Sequence, residues 1–303
     1  MPVRTEAVMG TLVTIQVVRD EDGAAAAMDR AFGWFHEIEE RCTRFDERSE
    51  LMQLSARAGE PVEVSAILFE AVRFALIVAE ETDGAFDPTV GRRMEARGFN
   101  REHRTGHVVR SANTPANDIS YKDVSLDPDR RTITLRRPLT LDLGAVAKGL
   151  AVDTAARELA HLRDFAIDAG GDLYLGGVNP QGEPWSVGIR HPRGAPGEPG
   201  ELIDSLRASN RAVCTSGDYE RRVSDTAGNR HHIMDPRTGE SPCAVASATV
   251  IASGAMLADA LATAAFVLGP RDGIEFLHRM GVDGLIFTCD LQRYETRGLY
   301  RAA

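Results

Sequence analysis

Leu139-Thr140-Leu141-Asp142-Leu143-Gly144-Ala145-Val146-Ala147-Lys148-Gly149 reads as a strand that breaks at a glycine into a helix spanning 145–159. A tight glycine turn feeding a helix leaves backbone N–H groups open to an anion, and Lys148 one turn in adds a full charge. The GxxxxGK[ST] spacing of a nucleotide-binding P-loop is absent. The plainer reading, a glycine-started helix with a surface lysine, competes at this point.

Working outward, the strand-to-helix order does not repeat as alternating βαβ units. Before this stretch, residues 8–18 are rich in β-branched side chains and read as a strand. Helical spacing covers 24–41, and a second helix covers 65–82, with Ser65 as N-cap and Gly84 beyond its end. The region 92–117 is polar and loop-like, with strands expected at 119–126 and 131–135. After the quoted stretch, strands are expected at 165–177 (around a turn), 185–190, 211–215, 231–234, 246–252 and 284–289. Helices are expected at 256–267 and 271–280, and 192–200 is a Pro/Gly loop. Runs of strands interrupted by a few helices predict an α+β fold with largely antiparallel sheets and packed helices, not a doubly wound sheet. No internal repeat or low-complexity linker divides residues 1–303, so one domain, or two intimate subdomains, is expected.

Composition narrows the partners. The 303 residues are 43% hydrophobic and 26% charged, enough to bury a sizeable core. A net charge of −10 disfavours nucleic acid and anionic membrane, and it means that a phosphate-handling site needs a local cation. Cys42, Cys214, Cys243 and Cys289 make no CxxC pair, which argues against a disulfide framework or a zinc site and for a reducing compartment. No leader-like start and no apolar run long enough to span a bilayer is present, so a cytoplasmic location without a membrane segment is expected.

Several short patterns carry possible chemistry. Asp259 and Thr263 are four residues apart within Ala258-Asp259-Ala260-Leu261-Ala262-Thr263, so they share one face of an apolar helix. A carboxylate buried there must be paired, protonated or metal-bound, and carboxylate plus hydroxyl is a hard-oxygen pair suited to Mg²⁺. Backbone capping by Asp259 is the competing reading. His231-His232-Ile233-Met234-Asp235-Pro236-Arg237-Thr238-Gly239 places two histidines side by side. On a strand they point to opposite faces, so at most one serves a given site. Ala169-Gly170-Gly171-Asp172 permits close backbone approach but lacks the dinucleotide GxGxxG spacing. Phe86, in Ala85-Phe86-Asp87-Pro88-Thr89, could stack on a ring, although a packed loop aromatic is the ordinary outcome. No GxSxG elbow or catalytic cysteine signature is present.

The order of these patterns is more telling than any one of them. Met9-Gly10-Thr11, Phe86-Asp87-Pro88-Thr89, Asp142 through Gly149, Ala169 through Asp172 and Thr215-Ser216-Gly217-Asp218-Tyr219 are followed by His232 through Gly239, Thr249-Val250 and Ala258 through Thr263. Together they resemble the ApbE family of FAD:protein FMN transferases over nearly the whole chain. The resemblance implies a T-fold-like α+β architecture that takes FAD as substrate. It implies FAD contacts at Met9, Phe86, Asp87, Asp142, Lys148 and His232. Magnesium is implied at Asp259, Thr263 and the backbone carbonyl of Ala145. Catalytic roles fall to Asp259 through the metal and to His232 as general base, imidazole being the side chain that titrates near neutrality. The implied reaction moves FMN from FAD to a Thr or Ser hydroxyl of an acceptor flavoprotein and releases AMP. With water as acceptor the same site is an FAD diphosphatase, and a non-enzymatic flavin- or metal-binding module is the remaining alternative. Leu150 and Glu240 stand where the family often has aromatic residues, which touches ring packing and not the metal chemistry.

Overall fold

The computed structural model describes residues 1–19, 21–101, 106, 108–109, 118–194, 201–220, 222–225 and 228–299. In chain order the elements are β1 (Val3–Val8), β2 (Thr11–Val17), α1 (Ala24–Cys42), α2 (Glu50–Ser55), β3 (Pro61–Glu63) and α3 (Ala66–Glu81). Then come α4 (Gly91–Ala96), β4 (Val124–Asp127), β5 (Thr132–Leu135), α5 (Ala147–Leu159), β6 (Phe165–Ala169) and β7 (Asp172–Gly176). They continue with β8 (Trp185–Arg190), β9 (Leu202–Ala208), β10 (Arg211–Gly217), β11 (Arg222–Asp225) and β12 (Gly228–His231). The last are β13 (Val245–Ala252), α6 (Ala255–Leu268), α7 (Pro270–Arg279), β14 (Asp283–Thr288) and β15 (Arg293–Glu295).

Eight strands form the central sheet in the order β1-β2-β6-β7-β10-β13-β14-β15, and every neighbouring pair is antiparallel. The expected α+β class with antiparallel sheets is what the chain adopts. Period-two alternation sorts side chains between two cores. On β10, Ala212 and Cys214 point to the face covered by α1, α5 and α6, whereas Val213 joins Leu175, Trp185 and Leu206 under the β8–β9 hairpin on the other face. The small sheet β3-β5-β4 stands apart from the central one. Among the described residues, no helix is long and apolar enough to cross a membrane.

Four expectations are corrected. The strand read at 8–18 is β2 (Thr11–Val17) preceded by a turn at Met9 (φ 53°) and Gly10 (φ 71°), which joins it to β1 as a hairpin. β-branched residues on both sides of the turn conceal it in the pattern. Residues 139–143 join no ladder, and the helix begins at Ala147, after a turn that the Asp142 side chain closes on Gly144 N. The strand expected at 231–234 is β12, which ends at His231. Within 92–117, Gly91–Ala96 is helical, and much of the rest lies outside the described residues, as does 195–200 of the Pro/Gly loop. The short elements α2, β3, β9 and β15 were not foreseen.

Candidate active site

The first cluster is built where α5 crosses α6. Gly149 makes that crossing possible: a Cβ there would stand 2.5 Å from the Met256 Cα. The start of α6 is fixed by Asp153, whose oxygens accept from Ala255 N at 2.6 Å and Met256 N at 3.0 Å. Burial pushes the Asp153 carboxyl up, against the pull of those two N–H groups.

One residue before Gly149, the half-buried Lys148 makes an ion pair with Asp172, whose side chain is only 3% exposed. Asp172 opens β7 on the helix-covered face, the face of Tyr174. Burial disfavours the Lys148 ammonium, but Asp172 and then Asp259 outweigh it and hold its pKa above that of an ordinary lysine. Asp259, 7% exposed, and Thr263 occupy successive turns of α6 as their spacing predicted. Thr263 Oγ1 lies 3.0 Å from Ser216 Oγ of β10. Cys214, also on β10, is fully buried. Burial, then Asp172 and Asp259, push its thiol pKa well up, so it is neutral. Lys148, Asp172, Asp259 and Cys214 thus form one buried electrostatic group, with the Thr263 and Ser216 hydroxyls at its side.

The first hairpin and the β6–β7 turn lie against each other. Gly170 (φ +65°) has Thr11 so close that a Cβ would collide with its hydroxyl. Met9 is half-buried and packs on the main core.

A second group surrounds the Phe86-Asp87-Pro88-Thr89 turn. Asp87 Oδ1 accepts from Thr89 N at 2.8 Å and Thr89 Oγ1 at 2.7 Å, and Oδ2 accepts from Tyr121 N at 2.9 Å. Burial nevertheless pushes its carboxyl up. These bonds make Asp87 a builder of the turn. Phe86 is buried in the main core, the ordinary outcome for a loop aromatic. Asp142 accepts from Gly144 N at 2.9 Å and from Arg44 Nε at 2.7 Å, so it closes the turn that leads into α5. Backbone bonds from Gly91 N to Thr140 O and from Asp142 N to Pro88 O join the two turns.

Helix α4 carries the histidine segment. Arg93 donates to Pro236 O at 2.5 Å, and Arg97 donates to Gly239 O and, at 2.8 Å, to Ser241 Oγ. Ser241 in turn donates to His231 O at 3.0 Å. His231 is buried, with Nε2 2.9 Å from Pro242 O and its ring edge-on to Phe266 of α6. His232 is half-buried on the bend that follows β12.

The structure therefore gathers Lys148, Asp259 and Thr263, and it ties Asp87 to Asp142 in a neighbouring group. Ala145 sits in the turn between Asp142 and α5. Carboxylate, hydroxyl and carbonyl oxygens are the donor set that suits Mg²⁺. Among the described residues, no group of three or more His, Cys, Asp or Glu gathers as a metal cluster. Sequence reasoning quoted Asp172 and Ser216 without giving them roles. Strand alternation was the available signal, since it sends both toward the helices. Arg44, Arg93 and Arg97 carried no such signal.

Residues 9–286 match the model of the ApbE family. A FAD:protein FMN transferase of Treponema pallidum (strain Nichols) is 33% identical over 320 residues, which cover 98% of this chain and 87% of the relative. One from Haemophilus influenzae is 28% identical over 249 residues, 79% of this chain and 71% of the relative. Among solved structures, the ApbE protein of Thermotoga maritima superposes with a TM-score of 0.85 at 31% identity, covering 98% of this chain and 97% of the other. The flavin transferase ApbE of Vibrio cholerae gives 0.82 at 25% identity with the same coverage.

Proposed function

This chain belongs to the ApbE family, and on that premise we propose that it transfers FMN from FAD to a Thr or Ser hydroxyl of an acceptor flavoprotein, with Mg²⁺, releasing AMP. The observation that carries the reading is the buried Lys148–Asp172–Asp259 group with Thr263 beside it, inside a chain that matches FMN transferases nearly end to end. Continuous matching over 9–286 also supports treating the chain as one functional unit.

Asp259, Thr263 and the Ala145 carbonyl would hold the ion. Bound there, Mg²⁺ supplies charge neutralisation on the pyrophosphate. Lys148 orients the same phosphates as a compact, fixed cation. His232 receives the proton from the acceptor hydroxyl as its oxygen bonds to the FMN phosphorus. The phosphoanhydride bond breaks and AMP leaves with the bridging oxygen. Asp142, held by Arg44, and Asp87, held by Thr89 and Tyr121, keep the two flanking turns in place.

The test supplies purified protein with FAD and Mg²⁺, with and without a candidate acceptor, and follows AMP together with in-gel flavin fluorescence of the acceptor. AMP release that accelerates with acceptor, matched by a covalently fluorescent acceptor band, is expected. Rapid AMP release indifferent to acceptor would make the protein an FAD diphosphatase, and none under either condition would make it a binding module.

A further inference from the structure

The two edges of the central sheet are unlike. One ends in β15, three residues long, the kind of short strand that resists further pairing. The other ends in β1, which has six residues, pairs with β2 in unbroken register and contains no proline or lysine. Among the described residues, no strand pairs with its far side. Val17 N donates to Pro2 O at 2.9 Å, so the alternation of an antiparallel ladder turns the backbone groups of Arg4 and Glu6 toward β2. Those of Val3, Thr5 and Ala7 face outward.

The side chains divide the same way. Arg4 and Glu6 lie on the face covered by α1, where Arg4 donates to Asp29 and Glu6, and Glu6 Oε2 lies 3.2 Å from His36 Nε2. Val3, Thr5 and Ala7 lie on the opposite face, beside Gln16, Thr14 and Leu12 of β2. Thr5 Oγ1 is 2.9 Å from Thr14 Oγ1. Val3 is 50% exposed and Leu12 63%, so this uncovered face carries two large apolar side chains next to an open edge.

We propose that two copies of this chain pair through β1, antiparallel across a two-fold axis at Thr5, so that two eight-stranded sheets become one. In that register Val3-Arg4-Thr5-Glu6-Ala7 is self-complementary. Thr5 exchanges backbone bonds with the partner's Thr5, and Val3 with the partner's Ala7. On the outer face a threonine row runs from Thr14 and Thr5 to the partner's Thr5 and the partner's Thr14. Leu12, Ala7 and the partner's Val3 form an apolar row beside it, repeated by the axis. On the helix face Arg4 stands opposite the partner's Glu6, and Glu6 opposite the partner's Arg4, so four charges alternate in sign around a square. Sliding the partner by two residues either way sets Arg4 against the partner's Arg4, or Glu6 against the partner's Glu6, which disfavours both neighbouring registers. This charge complementarity selects a second copy as the occupant of the edge.

Sedimentation equilibrium of the full chain reads the association, and thermal unfolding checks that each variant is folded. Wild type is expected to dimerise below about 100 µM, the scale of a weak specific contact. Thr5→Pro removes an outward N–H that β2 does not use, and an edge strand accepts the ring. Its monomer should therefore stay folded while dimerisation weakens by about tenfold or more. Arg4→Glu and Glu6→Arg each set like charges opposite one another twice across the axis, and each alone should weaken dimerisation by about tenfold or more. An equimolar mixture of those two variants should restore association to within about threefold of wild type, because every charge pair across the axis is then opposite in sign. A contact elsewhere on the molecule predicts dimers indifferent to Thr5→Pro, and a mixture no different from its components. Either result overturns the proposal. So does wild type that is monomeric at about 100 µM, which would leave the edge to a strand of a different protein. Where Arg4→Glu, placed beside Asp29, does not fold, Thr5→Pro decides alone.

Discussion

His231 and His232 are neighbours in sequence with different surroundings. His231 is bound to the Pro242 carbonyl and packed on Phe266, so it belongs to the core. His232 is half-buried on the bend after β12. His232→Ala is expected to lower transfer by roughly 100- to 10,000-fold with FAD affinity largely kept, the usual worth of a general base. A loss under about threefold removes His232 from that role. His231→Ala is expected to leave transfer per folded molecule nearly unchanged but to cost about 2–3 kcal/mol of stability, through a lost hydrogen bond and a cavity. Denaturant unfolding of the two variants, alongside their rates, separates these effects. The sequence alone distinguished the two residues by strand alternation. Alternation does not reach His232, because the strand stops at His231, and tertiary partners decide that the His231 ring is the more buried of the two.

At the scale of elements, the crossing of α5 over α6 places Lys148 within electrostatic reach of Asp259. Gly149→Ala would put a methyl 2.5 Å from backbone atoms of Met256, which cannot give way as a flexible side chain could. Overpacking of this kind costs about 1–3 kcal/mol. The expected outcome is a lowered melting temperature together with weakened divalent-ion binding; normal metal affinity in a destabilised variant would uncouple the crossing from the site. Asp153 caps the same crossing, and its pH dependence has a definite sign. Burial raises its carboxyl pKa in the folded state, so the folded chain holds that proton more tightly than the unfolded one. Its contribution to stability is then fullest below the unfolded pKa and declines as pH rises through the folded one. Asp153→Asn should therefore compare less favourably with wild type at about pH 4 than at about pH 7, on either side of a raised carboxyl. A stability gap that widens toward pH 7 would mean that the two N–H groups outweigh burial. Amphipathic spacing and caps made α1, α3, α5, α6 and α7 legible in advance. Short elements such as α4 and β9 were not, because a few residues carry too little periodicity and their partners lie far along the chain.

Over the whole molecule, the strand pattern was enough for the α+β class, and the order of short motifs was enough for the family. The arginine framework escaped because Arg44, Arg93 and Arg97 act on backbone carbonyls and turn carboxylates, contacts that no local pattern encodes. That framework bears on how an anionic substrate is received. The chain carries a net charge of −10, Lys148 is paired with Asp172, and Arg44 is paired with Asp142. A pyrophosphate arriving without a metal would meet cations already engaged and the negative charge of Asp259. On the proposed reading, Mg²⁺ and FAD must therefore assist one another, since each supplies charge that the other lacks. Thermodynamic linkage makes the assistance reciprocal: the factor by which Mg²⁺ tightens FAD equals the factor by which FAD tightens Mg²⁺. Calorimetric titrations should show a coupling of about 5- to 150-fold, the usual range for linked sites. Riboflavin keeps the isoalloxazine ring but has no phosphate, so its affinity should be indifferent to Mg²⁺. In Asp259→Ala the coupling for FAD should collapse while riboflavin binding stays as in wild type. Thr263→Val should weaken the coupling without abolishing it, because a hydroxyl contributes a neutral ligand and the carboxylate contributes the charge. Equal Mg²⁺ dependence for FAD and riboflavin would place the metal away from the pyrophosphate. Undiminished coupling in Asp259→Ala would make Asp259 a structural residue of α6.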